Sequence, residues 1–206
     1  MEVLEADIID EILNGNKEKY VLLMKKYNQR LYRICRSYLK DEAEIEDVMQ
    51  DAYIKAYQNL SSFQGRAQFS TWLTRILINE CLMRLKKMKR ISLVNNDEKS
   101  EAMNFTDKKN PETESMNKEL KNLLETAIDA LPEKYRSIFV MREVEKMSIE
   151  ETSKTLELTE SNVKVRLNRA KEMLRNSLMN TYPVGALYEF NLIRCDRVIA
   201  NVLAKI

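Results

Sequence analysis

The chain has 206 residues, of which 32% are charged and 44% are hydrophobic, with three glycines, three prolines and no histidine. Helix formers dominate and helix breakers are rare, so the composition predicts an all-α fold of one or two domains with real hydrophobic cores. The formal net charge of +2 identifies no partner, and the lack of histidine argues against a zinc site and against an enzyme.

The three cysteines, Cys35, Cys81 and Cys195, are odd in number and far apart along the chain. We expect no metal and no cofactor, and each thiol should pack as a small hydrophobe. The acidic N-terminus lacks the basic region of a signal peptide, and no stretch approaches 18 uninterrupted apolar residues. We therefore expect no membrane span and a cytoplasmic location, where thiols stay reduced.

Three helices are predicted in the first part of the chain, over about 3–13, 20–38 and 44–60. Each of the two longer helices has apolar residues at the three- and four-residue spacing of one buried face. The polar break 40–42 separates these two helices. Together with the segment that follows, they predict a compact first domain over 1–90.

The stretch 60–90 carries the most informative chemistry. Residues 60–69 have the composition of a polar loop, with aromatic side chains and Gly65, and the helix that follows ends at 84–90, where five of seven residues are basic. Aromatic and amide side chains can capture unstacked bases, while lysine and arginine hold phosphates. The alternative is an ordinary loop and core helix with a solvated basic end.

The helical pattern stops at residue 91. Residues 91–112 are polar and lack a helical period, which predicts a flexible linker. A second helical domain follows over 113–180, with one helix near 120–131 and another that begins at Pro132.

Two further helices predict a helix-turn-helix. Ser148 and Glu151 form a capping box, in which the hydroxyl and the carboxylate each accept a bond from an orphan backbone amide, and the helix ends near Leu156. A longer basic helix follows over about 160–178, capped by Thr159.

This last helix has one apolar face and two polar flanks. The residues predicted to form its core face are Val163, Leu167, Ala170 and Leu174. The candidate residues for contacts with duplex DNA are Asn162, Lys164, Arg166, Asn168, Arg169 and Lys171. Arginine and asparagine can make bidentate contacts with guanine and adenine edges. The alternative is an amphipathic helix with a solvated basic face.

Five segments match a known pattern in order and spacing: DVMQDAYIKAY at 47–57, FSTWLTRILIN at 69–79, LPEKYR at 131–136, SIEE at 148–151 and VKVRLNRA at 163–170. In these segments the chain resembles bacterial RNA polymerase sigma factors of the sigma-70 family, extracytoplasmic-function (group 4) type. The resemblance implies a dissociable polymerase subunit that recognises promoters and helps to melt DNA.

The resemblance assigns the first domain to sigma region 2. Its helix 44–60 would contact the β′ clamp of core RNA polymerase through Asp47, Gln50, Asp51 and Lys55. The loop 61–69 would receive a flipped base of the −10 promoter element. The candidate residues for the −10 element and for single-stranded DNA are Phe63, Arg66, Trp72, Arg75, Asn79, Arg84, Lys86 and Lys87.

The second domain resembles region 4, whose recognition helix reads the −35 element and which contacts the polymerase β flap. An anti-sigma factor is a further implied partner. The chain departs from the family pattern at Met83, where many relatives have an acidic residue, and at Lys146, where a glycine-containing turn is common. Residues 181–206 predict an apolar tail helix after Pro183, which either packs against region 4 or makes a regulatory contact.

Two other functions remain open from the residues alone. A conventional helix-turn-helix regulator would use 1–90 to sense a ligand or to form a dimer, and would bind duplex DNA without polymerase. Alternatively, 1–90 could be a helical enzyme or adaptor domain. The lack of histidine, of a glycine-rich phosphate loop and of a plausible metal cluster argues against the enzyme.

Overall fold

The computed structural model describes residues 5–95 and 113–181, and every regular element in these residues is a helix. The α-helices are α1 Glu5–Leu13, α2 Tyr20–Arg36, α3 Glu42–Gln58, α4 Phe69–Asn95, α5 Thr113–Asp129, α6 Glu133–Phe139, α7 Ile149–Leu156 and α8 Glu160–Thr181. Single 3-10 turns lie at Lys17–Lys19 and Leu60–Ser62, and a π-helical turn at Val140–Val144. The predicted all-α fold is confirmed.

Helices α1 to α4, which we call the N-terminal half, pack around one core. Its fully buried side chains include Leu23, Leu31, Ile34, Ile45, Leu73 and Leu77. The small residues Ala52 and Ala56 of α3 are completely buried, which lets α3 lie close against its main neighbour α4. The Asp41 side chain caps α3 by accepting a 3.0 Å bond from the Glu44 amide.

Helices α5 to α8, which we call the C-terminal half, contain the predicted helix-turn-helix. The capping box before α7 is confirmed, since the Ser148 amide donates to the Glu151 carboxylate at 2.6 Å and the Glu151 amide donates to the Ser148 hydroxyl at 3.0 Å. The Thr159 hydroxyl accepts a bond from the Asn162 amide at the start of α8. These caps set the boundaries of both helices.

The two halves share a core. Met141 and Met147 of the C-terminal half are buried to 0% and 2% exposure within the same cluster as the apolar residues of α2, α3 and α4. Helix α7 lies against α4, and the π-helical turn lies against α2. Sequence analysis predicted two domains joined by a linker, but it did not predict that they pack together.

Several helix ends differ from the sequence-based expectation by two or more residues. Helix α3 begins at Glu42 rather than at residue 44, because Asp41 supplies the cap. Helix α4 runs to Asn95, five residues into the predicted linker, since no glycine or proline interrupts 91–95. Helix α8 continues to Thr181. The rest of the predicted linker and of the tail helix lies outside the described residues.

Two of the three cysteines meet in the core of the N-terminal half. Cys35 and Cys81 are fully buried, and their Sγ atoms lie 3.5 Å apart. The contact with Cys35 and then burial raise the pKa of the Cys81 thiol, so it stays protonated at neutral pH. The expectation that these residues pack as small hydrophobes is confirmed, while Cys195 lies outside the described residues.

The turn before α7 holds a strained residue. Lys146 has a φ of 54°, in the left-handed region that favours glycine. A side chain there costs about 1–2 kcal/mol. This is the position where the resemblance leads us to expect a glycine-containing turn, and Lys146 keeps the turn at the cost of local strain.

This strain predicts a reversed preference between glycine and alanine. At Lys146, the Lys146→Gly variant should be more stable to denaturant than Lys146→Ala by about 1 kcal/mol. At the matched control position Lys121, in the middle of α5, the glycine variant should be the less stable by about 1 kcal/mol. If the glycine variant were less stable than the alanine variant at Lys146 as well as at Lys121, the result would contradict the strained turn.

Candidate nucleic-acid interface

An aromatic cluster anchors the loop between α3 and α4. Phe63 lies edge-on to Phe69 with ring centroids 5.5 Å apart, and its centroid lies 5.3 Å from that of Trp72. Phe69 is buried, whereas Phe63 and Trp72 are half-buried. The loop is therefore fixed on the first turn of α4, and it offers partly exposed rings on which bases can stack.

The tip of this loop is polar and exposed. Gly65 has a φ of 66°, in the region that favours glycine, and Arg66 beside it is exposed. The structure thus places three of the predicted single-strand contacts, Phe63, Arg66 and Trp72, on or beside one loop. A cation next to partly open rings suits a nucleotide, which combines a phosphate with a flat base.

The basic residues at the end of α4 differ in exposure and in their contacts. Lys86 and Lys87 are exposed. Arg84, predicted as a strand contact, is half-buried instead, and its guanidinium pairs with Glu44 and lies 3.8 Å from a carboxylate oxygen of Asp47. Arg84 therefore joins α4 to α3 in this structure rather than extending into solvent.

The polar face of α3 presents the predicted polymerase contacts. Asp47, Gln50 and Asp51 are exposed on it. Lys55 differs, because its Nζ lies 2.7 Å from both carboxylate oxygens of Glu80 on α4. Glu80 is only 8% exposed, and sequence analysis missed it, although an acidic residue at a buried position of an amphipathic helix signals a partner.

The recognition helix α8 has the predicted core face. Val163, Leu167, Ala170 and Leu174 are buried, which confirms the apolar face predicted from the helical spacing. Of the predicted duplex contacts, Lys164, Asn168, Arg169 and Lys171 are exposed, and Asn162 and Arg166 are half-buried.

Two of these cations have acidic partners. Arg169 pairs with Glu172 at 2.7 Å within α8. Lys171 pairs at 2.7 Å with Glu143 of the π-helical turn, and its hydrogen bond lowers the pKa of that carboxyl. Lys171 thus has a structural contact besides any contact with DNA.

An open basic groove runs beside α8. It has a volume of about 550 Å³, and α8 contributes Arg166 and Arg169 to its lining while α6 contributes Lys134 and Tyr135. The Lys134 Nζ lies 5.0 Å from the Tyr135 ring centroid. Sequence analysis did not select Lys134 or Tyr135. The groove makes them candidates for contacts with the DNA backbone.

A second cleft lies between the two halves. It has a volume of about 220 Å³ and is lined by Arg75 and Asn79 of α4 and by Arg166 of α8, among others. The Arg75 guanidinium pairs with Glu157 in the turn between α7 and α8. The structure therefore brings predicted contacts for the −10 element and for the −35 element to the same cleft.

Comparison with known proteins identifies the family. A family model described as sigma-70 region 2 matches residues 23–91, and one described as sigma-70 region 4 matches residues 121–174. The ECF RNA polymerase sigma factor SigW of Bacillus subtilis is 30% identical over 184 residues, which cover 86% of this chain and 98% of that relative. The chain belongs to the extracytoplasmic-function group of the sigma-70 family.

Other relatives agree with this ECF sigma assignment. The ECF RNA polymerase sigma-E factor of Escherichia coli is 29% identical over 183 residues, covering 86% of this chain and 95% of that protein. The fold is similar to that of the sigma factor RpoE of Bartonella quintana, solved in complex with the anti-sigma factor NepR, with a TM-score of 0.66, 19% identity and coverage of 78% and 97% of the two chains.

The fold is also similar to that of CnrH, solved in complex with the cytosolic domain of CnrY, with a TM-score of 0.60, 22% identity and coverage of 85% and 96%. The resemblance inferred from the sequence is confirmed: the region 2 match ends within α4, and the region 4 match lies within α5 to α8. Neither matching family model describes an enzyme. Over residues 5–95 and 113–181, no helix is long and apolar enough to cross a membrane.

Proposed function

We propose that this ECF sigma factor binds core RNA polymerase in the cytoplasm, recognises the −35 and −10 promoter elements, and helps to melt DNA without any covalent chemistry. The observation that carries this proposal is the presence of region 2 and region 4 in the family order on one chain. In the proposed division of labour, 1–90 contacts polymerase and the −10 element, and 113–180 contacts the −35 element.

The polymerase contact is assigned to the exposed face of α3. Asp47, Gln50 and Asp51 lie on the solvent side, while Val48 and Ala52 of the same helix are buried in the core. The rigid core thus fixes the direction of the polar face, as a docking surface requires. Glu80 holds Lys55 against α4, so Lys55 marks the edge of the surface that meets the β′ clamp.

Melting is assigned to the anchored loop and to α4. Stacking on an aromatic side chain stabilises an unpaired base by about 1–3 kcal/mol, and Phe63 and Trp72 present partly exposed rings. Arg66 is exposed on the loop, and Lys86 and Lys87 are exposed further along α4, where they would hold strand phosphates. The energy of melting then comes from binding the unpaired strand.

The −35 element is assigned to α8 in the major groove. Arg166 and Asn168 are suited to guanine and adenine edges, and Lys164 is suited to a phosphate. The β flap of the polymerase would contact the same half. Family membership makes an anti-sigma factor a further expected partner, and it would cover the polar face of α3, the recognition helix, or both.

Run-off transcription tests this proposal. Core polymerase and the sigma factor are given a pool of templates with randomised −35 and −10 elements, and the templates that yield defined transcripts are sequenced. We expect transcripts only when the sigma factor is added, from templates enriched for two elements at fixed spacing. Tight binding of the free chain to duplex DNA, with no transcription, would favour a conventional helix-turn-helix regulator instead.

The polymerase surface predicts a separable defect. Gln50→Ala combined with Asp51→Lys should weaken binding to core polymerase by at least tenfold, about 1.4 kcal/mol, because it removes a hydrogen-bonding group and reverses a charge at an exposed face. Asp10→Lys combined with Gln29→Ala, also exposed, makes the same chemical changes on α1 and α2. A pull-down in which both double variants bind alike, with unchanged melting temperatures, would refute the assignment.

The recognition helix predicts two different kinds of loss. Arg166→Ala should cost about 1–3 kcal/mol and relax preference at one or two −35 positions. Lys164→Ala should weaken binding to all sequences and reduce the salt slope by about 1. Lys164 is the better test than Lys171, whose loss would also leave Glu143 unpaired. Identical specificity profiles for the two variants, measured with the polymerase complex, would contradict this division.

A further inference from the structure

The side of α8 that faces away from the core carries an apolar residue at its centre. Successive residues of an α-helix are turned by about 100°, so Val165 lies about 200° from Val163 and about 160° from Leu167. Val163 is 0% exposed and Leu167 is 8% exposed, whereas Val165 is 64% exposed. Among the side chains described in the structure, no large hydrophobic one is more exposed.

Polar side chains that can read DNA surround this valine. The basic groove beside α8 is lined by Val165 together with Asn162, Arg166, Asn168 and Arg169. Asn168 follows Val165 by three residues, a spacing at which two side chains of a helix are neighbours with Cβ atoms about 5–6 Å apart. Val165 therefore lies within the predicted DNA-reading surface, although its side chain can neither donate nor accept a hydrogen bond.

The fold itself does not account for a valine at this position. Val165 belongs to neither apolar cluster of the C-terminal half, because both clusters take their α8 members from the opposite side of the helix. A β-branched residue also has a lower helix propensity than alanine, lysine or glutamate. Sequence analysis did not select Val165, since it considered the polar and basic residues of the two flanks. A contact outside the chain explains the residue better than packing does.

The major groove offers one apolar group that such a residue can contact. Of the four bases, only thymine presents a methyl group there, at C5. Cytosine would instead place its N4 amine donor close to the valine, and a polar group that loses water without gaining a partner is unfavourable. A valine against the base edge therefore favours thymine over cytosine in two ways, through the methyl group gained and through the amine avoided.

We propose that Val165 is a specificity-determining residue of α8, which contacts the C5 methyl group of a thymine in the −35 element. This inference rests on the proposed function for the placement of α8 in the major groove. Asn168 is suited to an adenine edge, and side chains about 5–6 Å apart meet base pairs at most two steps apart at 3.4 Å per step. The thymine lies within two base pairs of the adenine that Asn168 reads, on either strand.

Deoxyuridine tests the methyl contact, because it differs from thymidine only in lacking the C5 methyl group. The promoter selected by run-off transcription is made with deoxyuridine at one −35 thymidine at a time. Its affinity for the complex of the full-length sigma factor with core polymerase is measured by competition at fixed salt. The specificity profile of Asn168→Ala locates the adenine. Wild type should lose about fourfold in affinity at one thymine near it, the equivalent of one buried methyl group.

Three variants assign the loss to Val165. Val165→Ala should bind the thymine template about as weakly as wild type binds the uracil template, and should not distinguish the two. Val165→Ile keeps a branched apolar side chain and should retain the preference for thymine. Val21→Ala is the matched control, because it makes the same change at another exposed valine, on α2, and it should behave as wild type.

The methyl group can also be added to a template instead of removed. With cytosine at the identified position, wild type should bind more weakly than with 5-methylcytosine, which forms the same base pair but carries a C5 methyl group. Val165→Ala should bind these two templates equally. The melting temperatures of all variants should match that of wild type, since both valines are exposed.

An equal preference for thymine over uracil in wild type and Val165→Ala would overturn the proposal, because another residue would then make the contact. A loss of affinity in Val165→Ala that is the same for both templates would also overturn it and assign Val165 to a contact with polymerase. If selective promoter binding is retained but deoxyuridine has no effect at any −35 position, the proposal fails and the proposed function stands. If neither wild type nor any variant prefers one promoter to another, the proposed function fails as well.

Discussion

The burial of the Arg136 guanidinium fixes how the two halves of the molecule meet. A buried cation is stable only where acceptors surround it, and here carbonyl groups from Ser37 and Asp129 supply them. Burial lowers the pKa of this arginine, and the neighbouring Asp129 opposes that shift. Ser37 follows the end of α2, and Asp129 ends α5. One side chain thus bonds the ends of two helices that belong to different halves.

Helix α4 connects this junction to the proposed functions. One face of α4 lies in the core against α2 and α3, and another lies against α7. Its first turn anchors the aromatic loop, its middle carries Arg75 and Asn79, and its basic end carries Lys86 and Lys87. A change in the packing between the halves therefore exposes or covers proposed DNA contacts directly. The fold needs no separate signalling path between its interface and its DNA-contacting surface.

Much of the fold could be predicted from the sequence, because helices and caps are local. The capping box at Ser148 and Glu151 and the core face of α8 depend on spacings of three and four residues, and both are present in the structure. The start of α3 was missed because 40–42 was assigned to a polar break, although Asp41 caps the helix. The end of α4 was missed because 91–95 was assigned to the linker, although this segment contains no helix breaker. The strained Lys146 was noted in the sequence only as a departure from relatives.

The tertiary contacts could not be predicted, because no local pattern encodes them. The pairs Arg36–Asp129, Lys55–Glu80 and Arg84–Glu44 join residues that are 93, 25 and 40 positions apart. The sequence does show charged residues inside otherwise apolar stretches, as at Glu80. Such residues indicate that a partner exists, but they do not identify it.

One measurement tests most directly whether the two halves of this sigma factor read two separate promoter elements. Spin labels are placed at the exposed residues Gln58 of α3 and Asn176 of α8, with Cys195 replaced by serine, and the distance between them is measured by pulsed electron paramagnetic resonance. The account predicts one narrow distance for the free protein, in which the two halves share a core, and a distance longer by tens of ångströms in the complex with core polymerase and promoter DNA, because the two elements lie far apart on the duplex. The same distance in the complex as in the free protein would contradict the account.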